Sequence, residues 1–469
     1  MREEMYDVLV ISDDVVGEKM AGPGIRAWEL AKCLSKHFKV ILAIPDYSYK
    51  SEKSNFFENI SFEVVYYSLT NPNFIKSLGE KSKIILIQGY VLSKFPIIKK
   101  LQAYLIIDMY VPFVLENLFV HKWKVPNLKD REFIHLNDLR VFNEQIIHGD
   151  YFLCANERQK ALFVGSLMSL NRINPEILDL TPSLEELISV VPFGISKEND
   201  KHSEKNVMRN KIPQIKEEDI ILLWGGVISN WFDPITLIKA LYKALEENEN
   251  IKLFFLSTKH PNPLLPPFDM ANEARKISDK LKLTNKYVFF NESWVDYKKR
   301  ASYFKEADIG VSIHCIHFET YYSFRTRILD YLKHELPIIC TEGDYFAELV
   351  KKENLGFVVC NECEDELKKA ILLLANDRNL REKIKNRIRK VKERYYWDNV
   401  TVPLVKHCEE VLKGKIKKKK KLTKKEILFL FNLKKKPFAE KIFRSKLGWF
   451  LFQKLPFKIT TKIRRLFKF

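Results

Sequence analysis

Charged side chains suited to phosphate binding are concentrated in residues 317–332, HFETYYSFRTRILDYL. Arg325 and Arg327 can each neutralise phosphate oxygens, and a guanidinium can stabilise a departing diphosphate without a metal ion. Asp330 can accept hydrogen bonds from both hydroxyls of a ribose, and Glu319 adds a second carboxylate. The stretch therefore predicts a site that holds a nucleotide diphosphate, with Arg325 and Glu319 as candidates for catalysis.

A purely structural interpretation of the same stretch stays open. Arg327 and Asp330 are three residues apart, so on a helix they can form an ion pair within a solvated face. His314 and His317 have the same spacing, but no further ligands follow at the intervals of a zinc site. No D-x-D pair follows an apolar strand, which argues against a metal-bridged diphosphate, so we expect no metal ion. We also expect no cofactor.

A glycine-rich loop, Gly17 to Gly24, separates the first predicted strand from the first predicted helix. Glycine lets the backbone approach a ligand, and the helix N-terminus that follows presents free amides. Gly22, Gly24 and Arg26 are therefore candidates to contact a phosphate or a hydroxyl. A tight turn that merely needs glycine is an equally good interpretation, because the loop is not a G-x-G-x-x-G fingerprint.

Two apolar strands of the first half end in polar residues, one at Gln88 and the next at Asp108. In doubly wound sheets, residues at the carboxyl ends of strands face the ligand cleft. Asp108 is thus the candidate for the base that orients or deprotonates an acceptor hydroxyl. A helix or turn cap is the alternative role for this side chain.

Short apolar runs alternate with helical patterns along both halves of the chain, which predicts parallel sheets with right-handed crossovers. A helix is predicted over residues 324–334. The fold class is α/β, with two doubly wound Rossmann-like domains at residues 1–195 and 219–395, joined by a polar linker at 196–218. The predicted strands are 6–12, 39–45, 83–88, 103–108, 150–155, 219–227, 251–258, 286–291, 308–313, 336–341 and 356–360.

The positive charge of the chain belongs to its C-terminal tail. The formal net charge is +19, and residues 413–469 hold 21 Lys and Arg against two Glu, so residues 1–412 are neutral. Apolar residues recur in the tail at helical spacing, which is typical of basic amphipathic helices in a lipid headgroup layer. A solvated tail and nucleic-acid binding are the alternatives. Because no nucleic-acid motif occurs, we predict contact of 413–469 with an anionic membrane surface and no nucleic-acid partner.

Seven cysteines are scattered along the chain. Their odd number and the lack of a signal peptide argue against a disulfide framework. Cys360 and Cys363 form a C-x-x-C, but they follow an apolar run and have no second pair at zinc spacing, so we expect ordinary cysteines at a strand end. No run of about 18 apolar residues occurs, which predicts a cytoplasmic protein that lies on a membrane without crossing it.

Several segments resemble the glycosyltransferase family 4 group of GT-B enzymes, over roughly residues 6–412. The opening strand with AGPGIRAWELA at 21–31 resembles the acceptor-side loop and helix. GDYFLCANERQ at 149–159 and VPFG at 191–194 resemble the end of the first domain, and SFRTRILDYL at 323–332 resembles the donor-site helix. The resemblance implies a GT-B fold, in which two Rossmann-like domains face a cleft and a helix at 396–412 crosses back to the first domain.

The donor-site helix departs from the family pattern of two glutamates eight positions apart, the second of them seven residues before a proline. Counting back from Pro337 puts Asp330 at the second position and Tyr322 at the first. We expect Asp330 to keep the ribose role. Tyr322 cannot act as a carboxylate, and Glu319 is the residue that can replace it.

The family also has an Arg/Lys pair after the first strand of the second domain. The equivalent stretch here contains Gly225, Gly226 and Trp231 instead. We expect Arg325, together with Arg327, to supply the missing positive charge.

The resemblance implies that a sugar is moved from a nucleotide-diphosphate sugar with retention of configuration and without a metal. The basic tail favours a glycan or lipid-linked acceptor at the inner face of the cell membrane, as in bacterial lipopolysaccharide or capsule assembly. A GT-B-like sugar-nucleotide epimerase or hydrolase, and a non-catalytic GT-B module, are the alternatives. Residues expected in catalysis are Asp108, Arg325 and Glu319, and those expected at the donor are Gly22, Gly24, Arg26, Gly225, Gly226, Arg327, Asp330 and Gly343.

Overall fold

The structure, a computed structural model, describes residues 5–48, 56–197, 204–262, 268–418, 422–423 and 425–427. The chain divides into two compact units, Met1–Lys419 and Lys420–Phe469. The first unit contains two α/β domains, each built on a parallel sheet whose strands are apolar because helices cover both faces.

The first domain is a doubly wound sheet of seven parallel strands. The strands are β1 (Tyr6–Ile11), β2 (Val40–Pro45), β3 (Glu63–Tyr67), β4 (Ser82–Gln88), β5 (Tyr104–Asp108), β6 (Tyr151–Cys154) and β7 (Ile188–Val190). Their order in the sheet is β3-β2-β1-β4-β5-β6-β7. The helices are α1 (Gly22–Ser35), α2 (Pro72–Glu80), α3 (Val91–Lys94), α4 (Phe113–Lys124), α5 (Leu128–His148), α6 (Glu157–Ser169) and α7 (Pro175–Leu180).

The second domain repeats this architecture with six parallel strands. They are β8 (Ile220–Val227), β9 (Ile251–Ser257), β10 (Val288–Phe290), β11 (Ile309–Ser312), β12 (Ile338–Thr341) and β13 (Gly356–Val359), in the order β10-β9-β8-β11-β12-β13. The helices of this half are α8 (Pro234–Ala244), α9 (Asp269–Lys280), α10 (Arg300–Glu306), α11 (Phe318–Tyr322), α12 (Arg327–Lys333), α13 (Tyr345–Glu353), α14 (Glu364–Asn376), α15 (Arg378–Lys392), α16 (Trp397–Val400) and α17 (Val402–Leu412).

All eleven predicted strands are present, and two further strands, β3 and β7, were not predicted. These two are the edges of the first sheet, where strands are short and their residues only partly buried, so their apolar pattern is weak. The helix predicted over 324–334 begins only at Arg327, because the backbone is extended at Ser323 and enters the helical conformation only at Thr326.

The second half of the predicted linker belongs to the second domain. Met208 and Ile215 are buried, and Glu306 of α10 accepts hydrogen bonds from the backbone amides of Val207 and Met208. Residues 198–203 lie outside the described part of the chain.

The last two helices of the first unit pack on the first domain. His407 of α17 stacks on Tyr151 of β6, with ring centroids 3.5 Å apart, and its Nε2 lies 3.1 Å from the hydroxyl of Tyr104. The chain therefore returns from the second domain to the first, which brings both domains into one unit.

The expectation of ordinary cysteines at 360 and 363 is wrong, because the structure joins Cys360 to Cys363 in a disulfide bond. Only two residues lie between them, and the turn after β13 that leads into α14 brings the two sulfur atoms together. The other five cysteines are free thiols.

Most of the tail predicted to contact a membrane, residues 413–469, lies outside the described residues. In the described part of Lys420–Phe469, Thr423 and Glu426 form a reciprocal capping box, in which the Glu426 carboxylate accepts from the Thr423 amide at 2.7 Å. Within the described ranges, no helix is both long and apolar enough to span a bilayer.

Candidate active site

A cavity of about 990 Å³ lies between the carboxyl ends of the two sheets. The loop before α1, Tyr110 after β5 and Glu116 on α4 form its first-domain wall. The end of β8 and the segments around Tyr297 and Arg325 form the opposite wall. Open α/β sheets bind ligands at this edge, so the cavity is the candidate active site.

The structure brings some of the predicted site residues to this cavity and leaves others elsewhere. The residues that line it are Gly22, Gly225, Gly226, Arg325, Arg327 and Asp330. The lining residues in the described ranges do not include Gly24, Arg26, Asp108, Glu319 or Gly343.

Arg327 lies across the irregular end of β8. The pairing of β8 with β9 shifts register between Trp224 and Val227, where the chain passes through two glycines. Arg327 donates from Nη2 to the Val227 carbonyl oxygen at 3.0 Å, and its guanidinium carbon is 3.9 Å from the Phe232 ring centroid. Burial lowers the pKa of Arg327 to about 10, so the group stays charged at neutral pH. The loop after β8 has no Lys or Arg of its own, and Arg327 of α12 supplies a cation there.

Arg325 and Glu319 form a buried ion pair behind the cavity wall. Nη2 of Arg325 is 2.7 Å from Oε2 of Glu319, and both side chains are almost fully buried. Glu319 is in the first turn of α11, whereas Arg325 lies in the segment between α11 and α12. The two predicted catalytic groups are therefore in contact, but only Arg325 also lines the cavity.

Unpartnered polar atoms are concentrated in the same stretch. Nε of Arg325 and Nη1 of Arg327 are buried, and neither has a hydrogen-bond partner among the described residues. Oε1 of Glu319 and Nε2 of His314 and of His317 share this condition. Buried polar groups of native proteins are nearly always paired, so this group of atoms is the distinguishing feature of the site.

Asp330, the predicted ribose ligand, is paired at the cavity wall. Nη2 of Arg300 is 2.6 Å from Oδ2 of Asp330, and both residues line the cavity. A ligand that uses this carboxylate must therefore share it with Arg300. Sequence reasoning missed Arg300 because the pairing partner lies 30 residues away on α10.

The two glycines of the loop before α1 have different roles. A Cβ atom at Gly24 would lie 1.9 Å from the carbonyl oxygen of Val15, so only glycine allows this close backbone approach. A Cβ atom at Gly22 would meet only the Tyr110 hydroxyl, at 3.8 Å, which is ordinary contact. Packing thus explains Gly24, whereas Gly22 faces the cavity.

Arg26 and Asp108 are joined to each other instead of facing the cavity. Nε and Nη2 of Arg26 lie 2.6 and 2.8 Å from the two carboxylate oxygens of Asp108, and both side chains are buried. Arg26 also donates to the backbone carbonyl oxygens of Val191 and Pro192. The bidentate pair fixes α1 to the end of β5, so neither side chain is placed to meet a ligand.

Gly343 contributes to a contact between the domains. Arg158 at the start of α6 donates from Nη1 to the carbonyl oxygens of Gly343, at 2.9 Å, and Tyr321, at 3.0 Å. Arg158 also pairs with Glu348 of α13. The carbonyl of Gly343 therefore binds a side chain of the first domain, and Gly343 is not among the described residues that line the cavity.

Two further contacts close the cleft beside this one. Nε2 of Gln159 donates to the carbonyl oxygens of Tyr110 and Tyr322, at 3.0 and 2.9 Å. His317 stacks on Phe119 of α4, with ring centroids 4.3 Å apart. The loop that carries Arg325 is thus tied to the first domain on both sides.

Glu116 is a carboxylate in the cavity wall that sequence reasoning missed. Partial loss of water around this half-buried carboxyl and the neighbouring charge of Glu319 raise its pKa to about 8, and the Arg325 cation opposes the rise. The signal was present in the sequence, since Glu116 is a lone carboxylate in the apolar helical run FVLENLFV just after the polar end of β5.

Beside the cavity mouth, the hairpin of α4 and α5 is rich in apolar residues, yet none of the described side chains in 113–137 is buried. Leu128 and Leu136 are more than 60% exposed, as is Ile316, which precedes the α11 segment that contacts α4. Exposed apolar side chains of this kind can mark an interaction surface. We call residues 113–137 with Ile316, Phe318 and Tyr321 the apolar surface.

Residues 208–391 match the family model described as glycosyl transferases group 1. No curated protein matches the chain. The matched segment covers the second domain, including β8, Arg325, Arg327 and Asp330.

Solved structures match nearly the whole of the first unit. They include WaaG, a glycosyltransferase involved in lipopolysaccharide biosynthesis (14% identity, TM-score 0.58, 87% of this chain and 100% of that one). HepE of Anabaena in complex with UDP-glucose matches at 11% identity and TM-score 0.62 (87% and 100%), and sucrose-phosphate synthase of Thermosynechococcus elongatus at 14% and 0.57 (87% and 99%). The predicted GT-B fold, and the resemblance to GT-B glycosyltransferases, are confirmed.

Proposed function

We propose that this protein is a GT-B glycosyltransferase, and that it moves a sugar from a nucleotide-diphosphate sugar to a glycan or lipid-linked acceptor at a membrane surface. One observation carries the proposal: Arg325 and Arg327 are buried at the cavity wall, and each keeps a guanidinium nitrogen that has no hydrogen-bond partner among the described residues. A bound diphosphate would supply the missing acceptors and would be neutralised by two charge-assisted contacts.

The same two arginines suit the departure of the diphosphate. As the bond from the anomeric carbon to the diphosphate oxygen breaks, negative charge collects on that oxygen. Arg327 is held in place by Val227 and Phe232, and Arg325 by Glu319, so both cations are oriented before the reaction. Two cations in this position supply the charge that a metal ion would otherwise provide, which supports metal-independent transfer. Retention of configuration is proposed on the family resemblance alone.

The nucleotide portion of the donor fits the remainder of the cavity. Asp330 lies on the helix that follows Arg327 and lines the cavity, where it can accept from ribose hydroxyls while Arg300 orients it. Trp294 and His260 line the cavity beyond, and burial lowers the pKa of His260 to about 4, so this imidazole is neutral. The HepE structure with UDP-glucose supports a nucleotide sugar as the class of donor.

A lipid-linked or membrane-proximal acceptor is supported by the apolar surface and the tail. The apolar surface adjoins the cavity mouth through Glu116, which is on the same helix. The tail, residues 413–469, carries the whole net charge of the chain together with regularly spaced apolar residues. An apolar helical surface and a cationic tail are the two features by which proteins bind the surface of an anionic bilayer. We propose on this basis that the protein lies on a membrane surface, and the cytoplasmic face stays a prediction from its sequence.

The test is release of nucleotide diphosphate from a panel of UDP- and GDP-sugars, with and without a bacterial membrane extract that contains lipid-linked saccharides. We expect release from one donor to depend on the extract. Arg325→Ala should abolish this release while the circular dichroism spectrum stays unchanged. Arg275→Ala, which changes an exposed arginine on α9 outside the cavity lining, is the matched control and should leave the rate unchanged.

The same assay separates the other candidate functions. Release or isomerisation of the donor without extract would indicate a hydrolase or an epimerase instead. Tight donor binding with no turnover under any condition would indicate a non-catalytic module, and near-normal activity of Arg325→Ala would contradict the role of this arginine.

A further inference from the structure

Gln159 is a fully buried amide at the start of α6, and both polar atoms of its side chain are paired. Its Oε1 accepts a hydrogen bond from the backbone amide of Ala155 at 2.8 Å. Its Nε2 donates to the carbonyl oxygens of Tyr110 and Tyr322, at 3.0 and 2.9 Å. Only one orientation of the amide satisfies these three contacts, because Nε2 cannot accept and Oε1 cannot donate.

The two carbonyl groups that Gln159 joins belong to opposite sides of the cleft. Tyr110 follows β5 and lines the cavity from the first domain. Tyr322 is the last residue of α11 in the second domain, and it precedes Arg325 by three residues. We call residues 323–326, which connect α11 to α12, the arginine loop. One nitrogen atom of Gln159 therefore sets the separation between the first-domain wall and the arginine loop.

The end of α11 depends on donors from outside the helix. The last carbonyl groups of a helix have no amide partner within it, and α11 is only 5 residues long. Arg158 donates to the carbonyl oxygen of Tyr321, and Gln159 donates to that of Tyr322. Two adjacent residues of the first domain thus hold the end of a helix of the second domain.

The other charged groups of the site do not depend on this connection. Arg327 contacts Val227, and Asp330 pairs with Arg300, so both contacts lie within the second domain. Loss of the Gln159 contacts should leave these residues in place. It should shift the arginine loop relative to the first-domain wall, and reaction rates are sensitive to displacements of about 1 Å.

We propose that Gln159 is a positioning residue for sugar transfer, an inference that rests on the proposed function. Its amide holds the arginine loop at a fixed distance from the first-domain wall. Arg325 is aligned with the departing diphosphate only when the two domains are joined through this amide. Gln159 acts through the loop and touches no substrate, because it is fully buried and is not among the described residues that line the cavity.

The experiment compares wild type with Gln159→Glu, Gln159→Met and the control Gln102→Glu, which changes an exposed glutamine outside the cavity lining. Acceptor-dependent release of nucleotide diphosphate is measured with the membrane extract between pH 5.5 and 9. Calorimetry measures the binding of UDP, GDP, ADP and TDP. Hydrogen exchange, followed by mass spectrometry, is measured for a peptide that spans residues 319–327.

Gln159→Met removes both donors, so kcat should fall about 10- to 100-fold at every pH, while the nucleotide dissociation constant stays within about threefold of wild type. Exchange in residues 319–327 should become faster. Gln159→Glu keeps the shape of the side chain, but its carboxylate cannot donate to the two carbonyl oxygens. The protonated form can donate to one of them, so the ratio of its kcat to that of wild type should rise as the pH falls. Gln102→Glu should behave as wild type.

The outcomes separate this inference from the proposed function. A Gln159→Met enzyme with kcat within about threefold of wild type, or with unchanged exchange in residues 319–327, overturns the positioning role while the sugar transfer stands. Equal losses of kcat and of nucleotide affinity assign Gln159 to the folding of the site and overturn the positioning role as well. So does a kcat ratio of Gln159→Glu to wild type that stays constant with pH. Absence of any turnover by wild type overturns both this inference and the proposed function.

Discussion

Arg327 donates a hydrogen bond from Nη2 to the carbonyl oxygen of Val227 at 3.0 Å, which fixes a guanidinium from α12 against the end of β8. The end of β8 contains Gly225 and Gly226 and no cation of its own. Arg327 of α12 therefore supplies the cation at this position, and the Phe232 ring packs against its guanidinium.

The Arg26–Asp108 pair should matter for stability rather than for the reaction. Removing one partner leaves the other buried and unpaired, so Asp108→Ala should lower the free energy of unfolding by about 3 to 5 kcal/mol. Asp398→Ala, which removes an exposed partner of Lys36, should cost less than about 1 kcal/mol. Urea denaturation measures both. A stable but inactive Asp108→Ala protein would show that Asp108 acts in catalysis after all.

Asp344 should make stability depend on pH. Its carboxylate caps α13 through the Ala347 amide at 2.7 Å, but burial raises its pKa to about 6. Because the folded state binds this proton more tightly than the unfolded chain, the contribution to stability is present below pH 4 and is lost as pH rises through 6.

Asp344→Asn keeps the capping oxygen and removes the charge. At pH 8 its free energy of unfolding should exceed that of wild type by about 2 to 3 kcal/mol, and the two should agree at pH 4. Thermal or urea denaturation at the two pH values provides the comparison. A variant that is less stable than wild type at pH 8 would mean that the ionised carboxylate is the favoured native form.

The apolar surface should contribute to binding of anionic bilayers. Leu128→Asp with Leu136→Asp should lower co-sedimentation with phosphatidylglycerol vesicles, because two exposed leucines of this surface become charged. Leu178→Asp with Leu180→Asp changes two equally exposed leucines on α7 and is the matched control.

Deletion of residues 413–469 should lower vesicle binding more than the α4–α5 double substitution does. The binding that remains should not depend on the salt concentration. If the α4–α5 double variant and the α7 control bind vesicles equally well, the apolar surface has another partner. If the truncated protein binds as tightly as the full chain, the tail is not an anchor.

Buried strands were predictable because their apolar runs are continuous, and all of the predicted ones are present. The two missed strands lie at the sheet edges, where half-exposed residues such as those of β3 interrupt the pattern. The disulfide between Cys360 and Cys363 was not predicted, because the number and scatter of cysteines in the whole chain say nothing about a local turn that brings two of them together.

Residue chemistry pointed to Arg325, Arg327 and Asp330 because guanidinium groups and a carboxylate occur together within six residues. The pairing of Arg26 with Asp108 spans 82 residues, so the sequence showed two candidate ligand contacts where the fold has one buried ion pair. Glu116 was not predicted as a site residue because its helix has the pattern of an ordinary apolar segment. The charges of Glu319 and Arg325, which act on its pKa, come from the other domain.

The central claim is that Arg325 and Arg327 hold a nucleotide diphosphate in the cleft. The direct test is a thermal-shift screen of UDP-, GDP-, ADP- and TDP-sugars, followed by calorimetric titration of the best nucleotide into wild type, Arg327→Ala and Arg394→Ala. We predict that one nucleotide stabilises wild type, that Arg327→Ala weakens its binding about 10- to 100-fold, and that the exposed control Arg394→Ala binds it as wild type does. No stabilisation by any nucleotide, or equal affinity of Arg327→Ala and wild type, would contradict the account.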